Sequence, residues 1–206
     1  LLLLLKVAMK HNSREYILEK AAPVFNKNGF FGTSLADVCA ATGMTKGSIY
    51  ANFKDKDALA VAVFFFQVDR LHQKLEDILS LKEDPHEQLM LMLDFYENAH
   101  KYPEFKYGCP IANAAPEADD THPALKLAIN QIIELDLGRI RKLIKKGIKQ
   151  GAYKKKADPD FAFFMQATLE GALLLTKSTG DHRFMQMSCE QLRNQLNVWL
   201  AKENKD

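Results

Sequence analysis

The 206-residue chain reads as an all-α protein, with an N-terminal three-helix helix-turn-helix domain ahead of a larger helical domain. Three observations lead there. Apolar residues recur at helical spacing in one segment after another, and no segment alternates with the period of a strand. Glycine, proline and acidic turns separate the segments. Between Thr33 and Leu59, in TSLADVCAATGMTKGSIYANFKDKDAL, two short helical patterns flank one glycine.

Composition bounds the class. Hydrophobic residues at 47% and charged residues at 26% are ordinary for a soluble protein with a buried core. The net charge of +2 is unevenly spread: residues 1–60 hold eight Lys/Arg against five Asp/Glu, and the remainder 20 against 21. A basic start on a neutral body suits a nucleic-acid module joined to something else. Cys39, Cys109 and Cys189 are scattered with no C-x-x-C pair, so a reducing cytoplasm is expected rather than a disulfide framework. No apolar run reaches the ~20 residues that span a bilayer, so no membrane partner is expected. The leader LLLLLKVA lacks the features of a signal peptide. Residues 1–8 are read as non-native, with Met9 the natural start; the alternative is a genuine extension of the first helix.

The first helix is expected from an N-cap at Ser13 to Asn28. Ile17, Ala21, Val24 and Phe25 form its inner stripe. Pro23 lies inside it and removes a backbone donor, which costs ~3 kcal/mol in a straight helix interior. Asn28-Gly29 stops it, and Phe30 or Phe31 is expected to pack beneath the next two helices.

Ser34 can cap the second helix, whose inner face carries Leu35, Val38 and Cys39. Gly43 can take positive φ without a Cβ clash, so the chain turns there, and Met44 plugs the corner. Thr45 caps the third helix by accepting from the backbone N–H of Ser48 or a neighbour. Ile49 and Phe53, four apart, face inward. Lys46, Ser48, Tyr50 and Asn52 face outward. This is a helix-turn-helix, whose second helix enters a DNA major groove.

The run G-M-T-K-G-S-I-Y-A-N-F-K-D-K-D-A-L closely resembles the DNA-binding segment of TetR-family transcriptional regulators. The match extends back to Ser13 and covers the first third of the chain. The remainder is similar mainly in helical layout. Asn52 departs from the family, which very often has histidine there; both can donate to a phosphate. Motif and resemblance together place a DNA-binding domain at residues 9–56 and an effector-binding, dimerising domain at 57–206.

Asp55 is the expected N-cap of a long fourth helix reaching Leu79. Its front, AVAVFFFQV, is apolar on nearly every side, so burial between domains is expected. The fifth helix spans Pro85 to Tyr102, and Tyr102 to Pro110 is irregular. A short helix covers Ile111 to Ala118, and Asp119, Asp120 or Thr121 can cap the seventh helix, Pro123 to Gln150. An eighth helix with Pro159 at N1 runs to Ser178. A ninth, from Met185 to Lys202, carries Met185, Cys189, Leu192, Leu196 and Trp199 on one face.

Phosphate contacts set position and base contacts set sequence. Arg14, Thr33, Lys46, Tyr50, Asn52 and Lys56 are the candidates for phosphate. Thr45, Lys46, Ser48 and Tyr50 are the candidates for base edges, and Gly47 lets the backbone approach DNA closely. One such helix covers few base pairs, so a homodimer on a near-palindromic double-stranded operator is expected. Glu170, Gly171, Ala172, Leu192, Leu196 and Trp199 are the candidate interface; the resemblance points there too, to a four-helix bundle from the last two helices of each subunit.

The resemblance also implies a small-molecule effector among helices four to eight, whose binding moves the fourth helix and releases DNA. Candidate pocket residues are Phe65, Phe95, Tyr96, His100 and Phe105, with Cys109, Asn113, Phe164 and Thr168. Gly108-Cys109-Pro110-Ile111-Ala112-Asn113 resembles a segment of a TetR subgroup that includes cysteine-based electrophile sensors, so redox sensing through Cys109 is the alternative. A remoter one is a di-metal enzyme built on Glu97-x-x-His100 and Asp119-x-x-His122. The expected protein is not an enzyme and takes no cofactor or metal.

Overall fold

The computed structural model describes residues 2–118 and 122–201, with side chains from Ser13 onward. Its α-helices are α1 (Leu2–Asn28), α2 (Leu35–Thr42), α3 (Lys46–Tyr50), α4 (Lys56–Leu79), α5 (Pro85–Glu97), α6 (Pro110–Ala118), α7 (Pro123–Gln150), α8 (Phe161–Thr179) and α9 (Arg183–Trp199). Two 3-10 turns, Ala99–Lys101 and Pro103–Phe105, separate α5 from α6. Among the described residues there is no strand beyond one isolated bridge, Tyr153 to Leu200, and no helix long and apolar enough to cross a membrane.

The chain divides into two compact units, Leu1–Arg70 with Asn113–Asn130, and Leu71–Ala112 with Gln131–Asp206. The first unit takes in more than the 9–56 span expected from the motif, because apolar residues of early α4 are part of its core. Ile17, Phe25, Ile49, Leu59, Val63 and Phe64 are all fully buried. Phe30 bridges Phe25 and Phe64, with ring centroids 5.4 and 6.3 Å away. Phe31 instead points outward, 76% exposed. Glu117 closes this corner by accepting from the Phe31 backbone N–H at 2.7 Å.

In the second unit, α9 packs against α5 and α8. The apolar stripe of α9 is its core: Cys189, Leu192 and Leu196 are fully buried. Trp199 meets Phe161 edge-on at 5.0 Å. Asp136 of α7 accepts from Arg139 at 2.6 Å and pairs with His72 of α4 at 2.9 Å, while Arg139 reaches Glu76 at 2.8 Å. This buried charge is therefore compensated on two sides, as burial requires.

Several expected boundaries move. The backbone of α1 is helical from Leu2, so Ser13 is not an N-cap. α5 stops at Glu97, since Asn98 and Tyr102 leave helical geometry and the 3-10 turns intervene. α8 begins at Phe161, with Asp160 in the cap position, so Pro159 precedes N1. Asp55 does cap α4, accepting from Ala58 N–H at 2.7 Å. The expected caps at 119–121 and the end of the last helix at Lys202 lie outside the described residues, as does Leu1 of the leader.

Two glycines of α7 make a matched test. A Cβ on Gly147 would lie 2.5 Å from Tyr153, a ring only 2% exposed and hydrogen-bonded to His86 at 2.9 Å. A Cβ on Gly138 would meet nothing within 4 Å. Gly147→Ala is expected to destabilise by ~1–3 kcal/mol through overpacking. Gly138→Ala is expected to stabilise by ~0.5–1 kcal/mol through lost unfolded-state entropy. Urea unfolding midpoints check both signs.

Candidate nucleic-acid interface and effector cavity

The helix-turn-helix begins with capping chemistry. Ser34 Oγ accepts from the Asp37 N–H, and the Asp37 carboxylate accepts from the Ser34 N–H at 2.8 Å, a complete capping box. Those Ser34 bonds hold the Asp37 pKa below its ordinary value. Gly43 closes α2 at φ 68, and its N–H reaches Cys39 O. Thr45 then caps α3, accepting from Ser48 N–H at 3.2 Å.

α3 is anchored from behind by Ile49, which is fully buried, and by Phe53 in the turn after it. Three contacts tie the residues flanking α3 to α1. Tyr16 donates to Thr42 O at 3.2 Å, Ser13 donates to Asn52 Oδ1 at 3.1 Å, and the Arg14 guanidinium lies 5.1 Å from the Phe53 ring centre. Thr45, Lys46, Gly47 and Tyr50 are exposed on the opposite side, with Ser48 half-buried. A Cβ on Gly47 would meet only Thr45 Oγ1, at 3.9 Å, so no packing inside the chain calls for glycine there.

Two expected phosphate contacts change character. Thr33 is fully buried, and its hydroxyl donates to Gly29 O at 2.7 Å, so it is a structural turn residue rather than a surface donor. Asn52 is half-buried, with its amide donating to Ser48 O at 3.0 Å and its carbonyl taken by Ser13. It braces α3 from within. Arg14 is exposed, and Lys56 reaches Phe31 O at 3.3 Å.

The second unit holds a cavity of about 580 Å³. Its wall includes Tyr96, Tyr102, Phe105, Leu173 and Met185, and its rim His100, Lys101, Lys106, Lys177 and His182. Of the residues expected there, Tyr96, His100 and Phe105 line it. Phe95 stands behind the wall, its ring 4.7 Å from Tyr102 and 5.6 Å from Phe105. Phe65 and Asn113 fall in the first unit, where the Asn113 amide donates to Asn26. Phe164 is 58% exposed and Thr168 half-buried; neither lines the cavity. Composition hides the rim residues, but the interleaved basic and aromatic run HKYPEFKY at 100–107 is a legible signal for them.

Cys109 is 2% exposed, and its thiol donates to Glu170 Oε1 at 3.5 Å. Burial first, and the Glu170 charge next, push the thiol pKa well up. A buried, protonated thiol beside a carboxylate is the opposite of an activated nucleophile. Glu170 faces inward too, so it is not an interface residue. Its Oε2 is buried without a hydrogen-bond partner, and burial raises its pKa to about 7. Ala172, Leu192, Leu196 and Trp199 are buried within the chain and leave that role as well, while Gly171 stays half-exposed. The outward apolar faces are Phe164, Gly171 and Leu175 on α8, and Phe184, Met187 and Val198 on α9. Glu97 is bound to Arg193 at 2.5 Å, so it is not poised as a metal ligand. Among the described residues no group of three or more His, Cys, Asp or Glu is placed to hold a metal, and Asp119 lies outside them.

Residues 17–63 match the family model for bacterial regulatory proteins of the tetR family, and residues 85–200 match a tetracyclin repressor-like C-terminal domain. The chain belongs to the TetR family. A TetR-family transcriptional regulator from Cytophaga hutchinsonii is 32% identical, superposes with TM-score 0.87, and aligns over 95% of this chain and 98% of its own. A TetR transcriptional regulator from Chloroflexus aurantiacus J-10-FL is 29% identical with TM-score 0.88, over 94% and 98%. The HTH-type transcriptional repressor DhaR of Mycobacterium sp. (strain GP1) is 29% identical over 80% of this chain and 82% of its own. The TetR family and these relatives are transcriptional regulators, not enzymes, and the helix-turn-helix described above is their DNA-binding element.

The buried acid gives a pH test. A carboxyl whose folded pKa is raised stabilises fully below its unfolded value, here 4.5, and loses that contribution as pH rises toward about 7. Glu170→Gln is therefore expected to lose less stability than the parent over that interval, by roughly 2–4 kcal/mol. Urea midpoints at pH 4.5 and 8 read the difference; parallel curves would place the carboxylate in water.

Proposed function

We propose that this TetR-family regulator is a ligand-responsive, cytoplasmic repressor that binds a near-palindromic operator as a homodimer and leaves it when a small molecule binds. The exposed face of α3 is the observation that carries this reading. Thr45, Lys46, Gly47, Ser48 and Tyr50 are presented together, and Gly47 has no steric partner inside the chain. Lys46 suits guanine O6/N7 and the Thr45 methyl suits a thymine methyl. Arg14, Tyr50 and Lys56 serve phosphates.

Dimerisation is supported by the outward apolar faces of α8 and α9, where Phe164, Leu175, Phe184, Met187 and Val198 are each exposed by 40% or more. A two-fold pair presents two α3 helices to half-sites about 34–36 Å apart, or a multiple of this. The α4 helix contributes to both compact units, so it is the natural carrier of a signal from cavity to DNA-reading helix. Such coupling is typically ~1–3 kcal/mol, enough to release a marginal complex. The redox alternative through Cys109 draws no support from a buried thiol with a raised pKa.

Selection of bound duplexes from a random pool tests the role of α3. The selected site is expected to be near-palindromic, with affinity falling steeply with salt as counterions are released. Lys46→Ala should lower preference for that site over random DNA by ~1–3 kcal/mol, whereas Lys56→Ala should weaken both alike. Equal losses from both variants on both duplexes would overturn the assigned roles. The pairing surface is checked separately: Leu175→Glu with Met187→Glu should sediment as a monomer and lose operator affinity, and an intact dimer would move the interface elsewhere.

A further inference from the structure

We propose that the cavity of the second unit takes an organic anion: a compact, ring-bearing apolar body carrying one acidic oxyanion group, such as a carboxylate or sulfonate. This specifies the effector class within the ligand-responsive reading above, and rests on that reading for any effect on DNA.

Three independent features point the same way. The first is the wall. Tyr96, Tyr102 and Phe105 offer flat apolar surface, completed by Leu173 and Met185. Phe95, 1% exposed, packs behind these rings, so the wall is preformed rather than assembled by the ligand. At about 580 Å³ the space suits a drug-sized molecule.

The second is the charge around the opening. Lys101 comes from the first 3-10 turn, Lys106 from just after the second, and Lys177 from the last turn of α8. His100 and His182 line the same cavity, ring centres 4.6 Å apart. Among the described residues the lining holds one acidic side chain, Glu97, and Arg193 clamps it at 2.5 Å while also binding Asp94 at 2.5 Å. Its charge is therefore met from outside the cavity, and with Glu104 of the second 3-10 turn set against Lys101, Lys106 and Lys177 the rim segments keep a positive excess. Converging cations at the mouth of an apolar cleft concentrate anions and steer them inward. A neutral apolar ligand would gain nothing from these charges, and a cation would be repelled by them.

The third is a vacant donor. Thr176 lines the cavity, and its Oγ1 is buried with no hydrogen-bond partner. A helical threonine ordinarily donates back one turn, as Thr179 does to Leu175 O at 2.7 Å. Thr176 does not, and an unsatisfied buried hydroxyl is costly unless something supplies the acceptor. An oxygen of the ligand would meet that need within the same cavity.

Matched probes test the assignment on the full-length chain. The first is 8-anilinonaphthalene-1-sulfonate, an aromatic body with one sulfonate. The second is N-phenyl-1-naphthylamine, the same skeleton without the charge. One saturable sulfonate-probe site per chain is expected, at least about tenfold tighter than the neutral probe. Lys101→Glu with Lys106→Glu, both on exposed turns, should weaken the sulfonate probe about tenfold or more and leave the neutral probe within about twofold. Equal affinity for the two probes, or a sulfonate affinity indifferent to the charge reversal, would overturn the proposal. The probe readout needs no DNA, so the two readings separate. Sulfonate binding that leaves operator affinity untouched overturns the ligand-responsive reading and keeps the cavity assignment. Release of DNA by the neutral probe alone does the reverse.

Discussion

A five-residue helix cannot hold itself together in water, and α3 is five residues long. Its position is imposed by the side chains behind it. Burying Ile49 contributes ~1.5–3 kcal/mol, and Phe53 adds a comparable amount. The Thr45 cap contributes ~1 kcal/mol. Burial therefore sets where the helix sits, and the cap sets where it starts. The hydrogen bonds from Ser13 to Asn52 and from Tyr16 to Thr42 then tie the segments on either side of it to α1. Only because one side is held so firmly can the other side be given over to contacts outside the chain.

The second unit handles polarity in two distinct ways. Inside, polar groups answer one another. Asp136 is met by His72 and Arg139, and the Cys109 thiol by Glu170. Glu170 keeps one oxygen unpaired, and burial, which disfavours its charged form, raises its pKa to about 7. At the cavity mouth Lys101 and Lys106 are exposed to solvent. Interior polar pairs rigidify the unit, while exposed rim charges can reorient to meet a ligand. Cys109 belongs to the first set, buried and bonded to Glu170.

The DNA-reading element is legible in the sequence because its signals are local. Ser34, Gly43 and Thr45 act on backbone groups within four residues of themselves, so spacing alone reveals them. The second unit is less so, for a physical reason. Helical periodicity identifies an apolar face but not the surface that covers it. The stripe of Leu192, Leu196 and Trp199 has the pattern of an interface and is instead covered by the chain's own α5 and α8. The outward faces hold Phe164 and Met187, which a pattern reading can equally assign to a pocket or a core. Thr33 and Asn52 escape such a reading because a polar side chain beside a DNA-reading helix can spend its hydrogen bonds inward. The cavity lies largely along a stretch with no helical period, where two 3-10 turns replace the end of α5.

The central claim is that α3 and the turn before it form the surface that meets DNA, supported by α1 and by a buried isoleucine. Hydrogen exchange of the full chain, with and without its selected duplex, tests this directly. Slowed exchange on DNA addition is expected at amides from Thr45 to Asn52 and at the N-terminus of α2, with little change in α9. Protection confined to the second unit, leaving Thr45 to Asn52 as fast as in the free protein, would contradict the account.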